Sequence, residues 1–282
     1  MKSVLETITA GTEYLAKHGV EDARLNMEHL AAHVLECKRI ELYMQFDRPL
    51  NEAELVPLRE LVKRRGGREP LQHILGDVDF LGRIFVSDAR ALIPRPETEH
   101  LVELIRDDLG KTFAGRICDV GCGSGVIGLS LAAELGEDAE VTLVDVSPDA
   151  LTLTRENAES LELAHRVRLV QGDLLDAVPQ GETFAAVLAN LPYITTAEMA
   201  ELQAEVQRDP ALALEGGADG LDLVRRLLSQ LPARLEQGGL VALELGLGQP
   251  QVVADLLLAQ GFSKADVIKD HTDRDRFVLA RL

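Results

Sequence analysis

Arg116-Ile117-Cys118-Asp119-Val120-Gly121-Cys122-Gly123-Ser124-Gly125 is the stretch on which the fold turns. A short apolar run ends beside an acid, and glycines follow at every second position. Glycine lacks a Cβ, so the backbone there can turn sharply and come close to a ligand. The pattern predicts a strand, 116–120, a tight turn, and then a helix. Residues Gly123 to Gly128 also fit G-x-G-x-x-G, the dinucleotide-binding spacing. The loop alone therefore does not choose among ligands, and a bare strand–helix turn uses the same residues.

Downstream, apolar runs recur at strand length: 140–146, 166–171, 185–190, 240–245, 265–269 and 276–281. Helical segments separate most of them. One helix start is explicit, with Ser147 as N-cap, Pro148 at the first position and Asp149 in the first turn. Apolar strands alternating with helices predict a parallel sheet covered on both faces. The last two runs leave no room for a helix between them and should pair antiparallel. The expectation is a Rossmann-like α/β fold with seven strands, mostly parallel, the last antiparallel.

Upstream, residues 1–75 read as helices. Ser3-x-x-Glu6 is a capping box. The runs 25–35 and 52–65 repeat Leu and Val at helical spacing. Lys63, Arg64, Arg65 and Arg68 close the latter run, as suits cations at a helix C-terminus. Residues 76–93 read as a β-hairpin or linker around Gly82, and the α/β region follows over 94–282.

Composition narrows the class. Of the 282 residues 46% are hydrophobic and 27% charged, as in ordinary soluble domains. No apolar run approaches the roughly 18–20 residues that span a bilayer, and the N-terminus lacks a signal-peptide layout. A cytoplasmic protein without membrane contact is expected. Cys37, Cys118 and Cys122 form no metal-type pattern, so no metal site is expected. The net charge of −18 is uneven: residues 1–75 carry 12 acidic and 11 basic residues, residues 76–282 carry 35 and 18. Such an acidic region repels phosphate backbones and argues against a nucleic-acid partner.

Three further features carry chemistry. Asp145 ends the second α/β strand, where an acid can accept hydrogen bonds from both hydroxyls of a ribose. That suits a nicotinamide cofactor and S-adenosylmethionine alike. In Gln171-Gly172-Asp173-Leu174, Asp173 can accept from an adenine amino group while Leu174 packs on the ring; a plain turn acid reads the same way. The third, Asn190-Leu191-Pro192-Tyr193, ends the fourth strand. An amide nitrogen is a poor nucleophile because its lone pair is delocalised, so a site that methylates it must orient the NH2 group. The Asn190 side-chain oxygen and the Leu191 carbonyl can each accept one N–H. Pro192 stiffens the turn and Tyr193 can stack on a flat amide face. A nicotinamide dehydrogenase would use the same glycine loop but leave this tetrapeptide without a task, and a non-catalytic cofactor-binding adaptor predicts no methyl transfer.

The chain closely resembles the HemK/PrmC family of release factor N5-glutamine methyltransferases. The resemblance runs in order through Glu69–Gly76, Ile93-Pro94-Arg95-Pro96-Glu97-Thr98-Glu99, Asp119–Gly125, Asn190–Ile194, Glu215–Asp222 and Lys269-Asp270 with Asp273-Arg274-Asp275-Arg276. It implies a class I methyltransferase fold with a small helical N-terminal domain, 1–75, that docks the substrate. It implies S-adenosylmethionine as methyl donor, with S-adenosylhomocysteine as product. Asp119, Gly121, Cys122, Gly123, Ser124, Gly125, Asp145, Asp173, Leu174 and Asn190 would bind the cofactor, with the Arg95–Glu97 loop near its pocket. Asn190 to Tyr193 would bind the glutamine of the Gly-Gly-Gln motif in class I peptide chain release factors. The family usually has Asn-Pro-Pro-Tyr, and Leu191 departs from it. Leucine still supplies the backbone carbonyl, so activity is expected to survive. The alternatives are a ribosomal-protein glutamine and, against the charge distribution, adenine N6 in a flipped DNA base.

Overall fold

The computed structural model of the chain describes residues 2–282. It forms two compact units: residues up to Asp77 together with Gln203–Arg208, and Val78–Leu202 together with Asp209–Leu282.

The first unit contains α1 (Val4–Lys17), α2 (Ala23–Val34), α3 (Arg39–Leu42), α4 (Glu52–Gly66) and α5 (Leu71–Leu75). The capping box at Ser3 forms: its hydroxyl accepts the Glu6 amide at 3.2 Å, and the Glu6 carboxylate accepts the Ser3 amide at 2.8 Å. Asn51 and Glu54 repeat the device at the start of α4. Ile8, Leu15, Met27, Leu30, Leu42 and Leu58 fill the core. The basic cluster closing α4 does more than face a helix end. Lys63 and Arg64 pair on the surface with Glu60 and Glu69. Arg65 turns inward, donating to Asn26 at 2.7 Å and to Glu205 at 2.9 Å, and Arg68 binds the same Glu205 carboxylate. These two arginines bring segment 203–208, remote in sequence, into the helical unit.

The second unit begins one residue into a hairpin, β1 (Asp77–Phe80) and β2 (Arg83–Val86), that turns at Gly82. Its Phe80 and Phe85 pack edge to face. There follow α6 (Pro96–Leu109), β3 (Arg116–Val120), α7 (Val126–Glu134), β4 (Glu140–Asp145) and α8 (Pro148–Ser160). Next come β5 (Val167–Gln171), β6 (Phe184–Asn190), α9 (Asp222–Gln230), β7 (Leu235–Glu244), α10 (Pro250–Ala259), β8 (Lys264–Lys269) and β9 (Asp275–Arg281). The seven-stranded sheet has order β5-β4-β3-β6-β7-β9-β8. Only β9 runs against its neighbours, inserted between β7 and β8. Two apolar layers cover the faces, one including Phe184, Leu227 and Leu257, the other Leu101, Ile117 and Phe277. β7 starts five residues before the expected Leu240, because a register shift near Gly238 and Gly239 lets Leu235 pair with Phe184. β3 and β6 lie side by side with Val120 opposite Ala189, so the glycine loop and Asn190 leave the sheet together at its carboxyl edge.

Candidate active site

The glycine loop adopts the backbone its composition anticipates. Gly121, Gly123 and Gly125 have φ of +72°, +57° and +83°, a left-handed region that disfavours side chains. Side chains from the neighbouring elements hold it. Asp145 Oδ2 accepts the Gly123 amide at 2.8 Å, the Thr154 hydroxyl donates to the Gly123 carbonyl at 2.7 Å, and Asn157 Nδ2 donates to the Ser124 carbonyl at 3.0 Å. The loop is thus preorganised.

A cavity of about 330 Å³ opens above the carboxyl edge. Gly121, Cys122, Gly123, Ser124, Asp145, Asp173, Leu174, Asn190, Leu191 and Pro192 line it. Its remaining wall includes Arg90, Pro94, Arg95 and Thr98 from one side and Pro210, Leu212 and Arg226 from the other. Three residues expected at the site stand outside this lining. Asp119 is fully buried and turns beneath the loop, where Oδ2 accepts the Gly128 amide at 2.9 Å. Burial pushes its carboxyl up to about 7. Gly125 faces packing, since a Cβ there would meet Thr154 Cγ2 at 2.8 Å. Tyr193 is held by Arg276, which donates to its hydroxyl at 2.7 Å and lies 4.9 Å over its ring.

The two acids expected at a nucleoside differ. Asp145 is largely buried, which raises its pKa, while the Gly123 and Ser147 amides draw it down. Asp173 is half exposed and paired with Arg226. Leu174, buried against the cavity, has φ +50°, a strain that surrounding structure must hold in place.

Four residues that local sequence reading gave no site role now stand in or beside the site. Asn190 Nδ2 lies 3.3 Å from the Thr98 hydroxyl, which donates to Glu244 at 2.7 Å. Arg276 reaches Glu244 at 3.3 Å. Arg95 pairs with buried Asp209 at 2.9 Å, beside the Pro210–Ala213 wall; burial lifts the Asp209 carboxyl to about 6. Thr98 and Arg276 belong to segments that carry the family resemblance, whereas Glu244 and Asp209 sit in no motif. Among the described residues, no group of three or more His, Cys, Asp or Glu is placed to hold a metal, and no helix is long and apolar enough to cross a membrane.

Sequence comparison places this architecture. A family model described as the PrmC N-terminal domain matches residues 6–76, and one described as a methyltransferase domain matches residues 112–230. The release factor glutamine methyltransferase of Geobacter sulfurreducens is 42% identical over 272 residues, covering 95% of this chain and 93% of its own. This chain belongs to the release factor glutamine methyltransferase family. The Deinococcus radiodurans relative of the same description is 38% identical, covering 98% of this chain and 97% of its own. The chain is an S-adenosylmethionine-dependent methyltransferase. A methyltransferase from Pyrococcus furiosus shares the fold, with TM-score 0.52 and 18% identity over 71% of this chain and 89% of its own. So does a T. thermophilus 16S rRNA N2 G1207 methyltransferase solved with AdoMet and guanosine, with TM-score 0.52 and 19% identity over 73% of this chain and 49% of its own.

Proposed function

We propose that this enzyme methylates the side-chain amide nitrogen of the glutamine in the Gly-Gly-Gln motif of class I release factors, leaving N5-methylglutamine. The adjacency of the glycine loop and Asn190-Leu191-Pro192 around one cavity carries the reading. The cavity suits S-adenosylmethionine: Gly123, where a Cβ would meet only Ala91 at 3.8 Å, lets backbone approach a ligand, and Asp145 has lone pairs left for ribose hydroxyls. When bound, S-adenosylmethionine supplies an electrophilic methyl on a sulfonium. Asn190 Oδ1 and the Leu191 carbonyl accept the two amide protons and turn the nitrogen lone pair toward the donor. The apolar walls exclude water. An N-alkylated, N-protonated amide is strongly acidic, so its extra proton leaves without a dedicated base. Catalysis is positioning and differential stabilisation.

The helical unit docks the release factor, and the enzyme works in the cytoplasm, where termination occurs. Neither nucleic acid nor membrane is a direct partner, in keeping with the acidic charge of residues 76–282. The test is labelled S-adenosylmethionine with a purified release factor, its Gln→Ala form, a glutamine-bearing ribosomal protein and duplex DNA. Label on the glutamine-containing factor alone is expected. Absence of label there, equal label on the Ala form, or preferential label on another substrate overturns the reading.

A further inference from the structure

Thr98, in the first turn of α6, is 3% exposed and lies between two side chains that leave the sheet edge. Its hydroxyl meets Glu244 Oε2 at 2.7 Å and Asn190 Nδ2 at 3.3 Å. Asn190 and Glu244 are register partners at the ends of β6 and β7. Glu244 is 1% exposed, and Arg276 at 3.3 Å supplies the countercharge that its ionised form needs.

Burial pushes the Glu244 carboxyl up, while the Thr98 hydroxyl and Arg276 draw it down; for the ionised form that Arg276 pairs with, the donor arithmetic has one solution. An ionised carboxylate only accepts, so the single proton of the Thr98 hydroxyl is committed to Glu244. What remains on the Thr98 oxygen is lone pairs, which can take only the NH2 end of Asn190. Among the described residues Asn190 Oδ1 has no hydrogen-bond donor. It is the atom left to face the cavity that Asn190 lines. Were the amide reversed, an NH2 group would confront a substrate NH2, and the grip would become a clash of donors.

We propose that Glu244, acting through the Thr98 hydroxyl, is a positioning residue for methyl transfer, locking the Asn190 amide with Oδ1 toward the substrate nitrogen. The inference rests on the reading above that Asn190 grips the acceptor amide. The second oxygen of the same carboxylate receives Arg276, whose guanidinium also holds the Tyr193 hydroxyl. One buried acid therefore braces both ends of the tetrapeptide.

The experiment compares the full-length enzyme with T98V, T98S and E244Q by single-turnover methylation of a release factor and by cofactor titration. T98V keeps the shape of threonine and loses the hydroxyl; its transfer rate should fall roughly 10- to 100-fold, the scale of a misoriented reacting group, with cofactor affinity little changed. T98S keeps the hydroxyl and should restore most of the rate. A packing role predicts the reverse order, and that order overturns the proposal, as does a T98V rate equal to wild type. E244Q can donate to Thr98, which releases the hydroxyl proton toward Asn190 and lets the amide flip. Its rate should also fall at unchanged cofactor affinity, and an unaltered rate overturns the proposal even where T98V is misfolded. If the wild type itself transfers no methyl, the proposed substrate fails; if the wild type is active and the variants match it, only the positioning role fails.

Discussion

Leu191 Cδ2 lies 2.8 Å from the point that a Cβ on Gly121 would occupy. The residue that departs from the usual family tetrapeptide fills the space left by the first glycine of the loop, so the two halves of the site share a wall. Gly121→Ala would force a side chain into φ +72°, costing about 1–2 kcal/mol, and would push Leu191 aside. Cofactor affinity should drop roughly tenfold, since 1.4 kcal/mol is a factor of ten, and transfer should slow further as the Leu191 carbonyl moves. Isothermal titration with single-turnover rates measures both. Unchanged binding and turnover would mean the two residues are not coupled.

Leu191→Pro tests that departure directly. The Leu191 side chain is 4% exposed within the apolar layer that contains Leu221 and Val224. Proline buries less, and each lost CH2 is worth about 0.8 kcal/mol, so the melting temperature should fall. The backbone carbonyl remains, and turnover should change only modestly. A loss beyond about 100-fold, or 2.7 kcal/mol of transition-state stabilisation, would mean that the carbonyl is held differently.

Asp119 makes stability depend on pH. Its folded carboxyl is pushed up to about 7 by burial, against the pull of the Gly128 amide, whereas an unfolded aspartate titrates near about 3.9. Between those values the folded chain keeps a proton that the unfolded chain has released, so stability falls as pH rises through that window. Asp119→Asn retains an acceptor for the Gly128 amide and carries no charge. The melting temperature of the variant minus that of wild type should therefore grow from about pH 5 to about pH 8. A flat difference would place the Asp119 titration outside this range.

The two acids proposed to face a nucleoside should contribute unequally. Asp145→Ala removes a mostly buried carboxylate and leaves the Gly123 amide without its acceptor. Hydrogen bonds to charged groups are worth about 1.5–3 kcal/mol, and cofactor affinity should fall accordingly. Asp173 is half exposed and shared with Arg226, and exposed ion pairs are worth under about 1 kcal/mol, so Asp173→Ala should do less. Titration of both variants decides, and an equal or larger loss for Asp173→Ala would reverse the ranking.

Local features were the legible ones. The strand at Arg116–Val120 was readable to the residue because glycines bound the apolar run on both sides. The α8 start was written in Ser147 and Pro148. The start of β7 was missed because Gly238-Gly239 reads as a break, whereas the ladder absorbs it as an irregularity. At the site, the loop glycines, Asp145 and Asn190 announce themselves through spacing. Thr98, Glu244 and Arg276 do not, because each has an ordinary local reading and they converge only when α6 packs near the ends of β7 and β9. Glu244 offered one cue, an acid inside the apolar run Leu240–Leu245, since a buried charge demands a partner. The sequence names the demand but not Thr98 or Arg276 as its answer.

The grip of Arg65 and Arg68 on Glu205 bears on how this enzyme can be divided. Cutting the gene after Asp77 would not release a self-sufficient catalytic piece. It would strand Glu205 without its arginines, four residues ahead of the Asp209 that pairs with Arg95. A chimera that exchanges the helices of two relatives inherits the same debt unless residues 203–208 travel with them. The true module is discontinuous, and homologous replacement has to follow that seam.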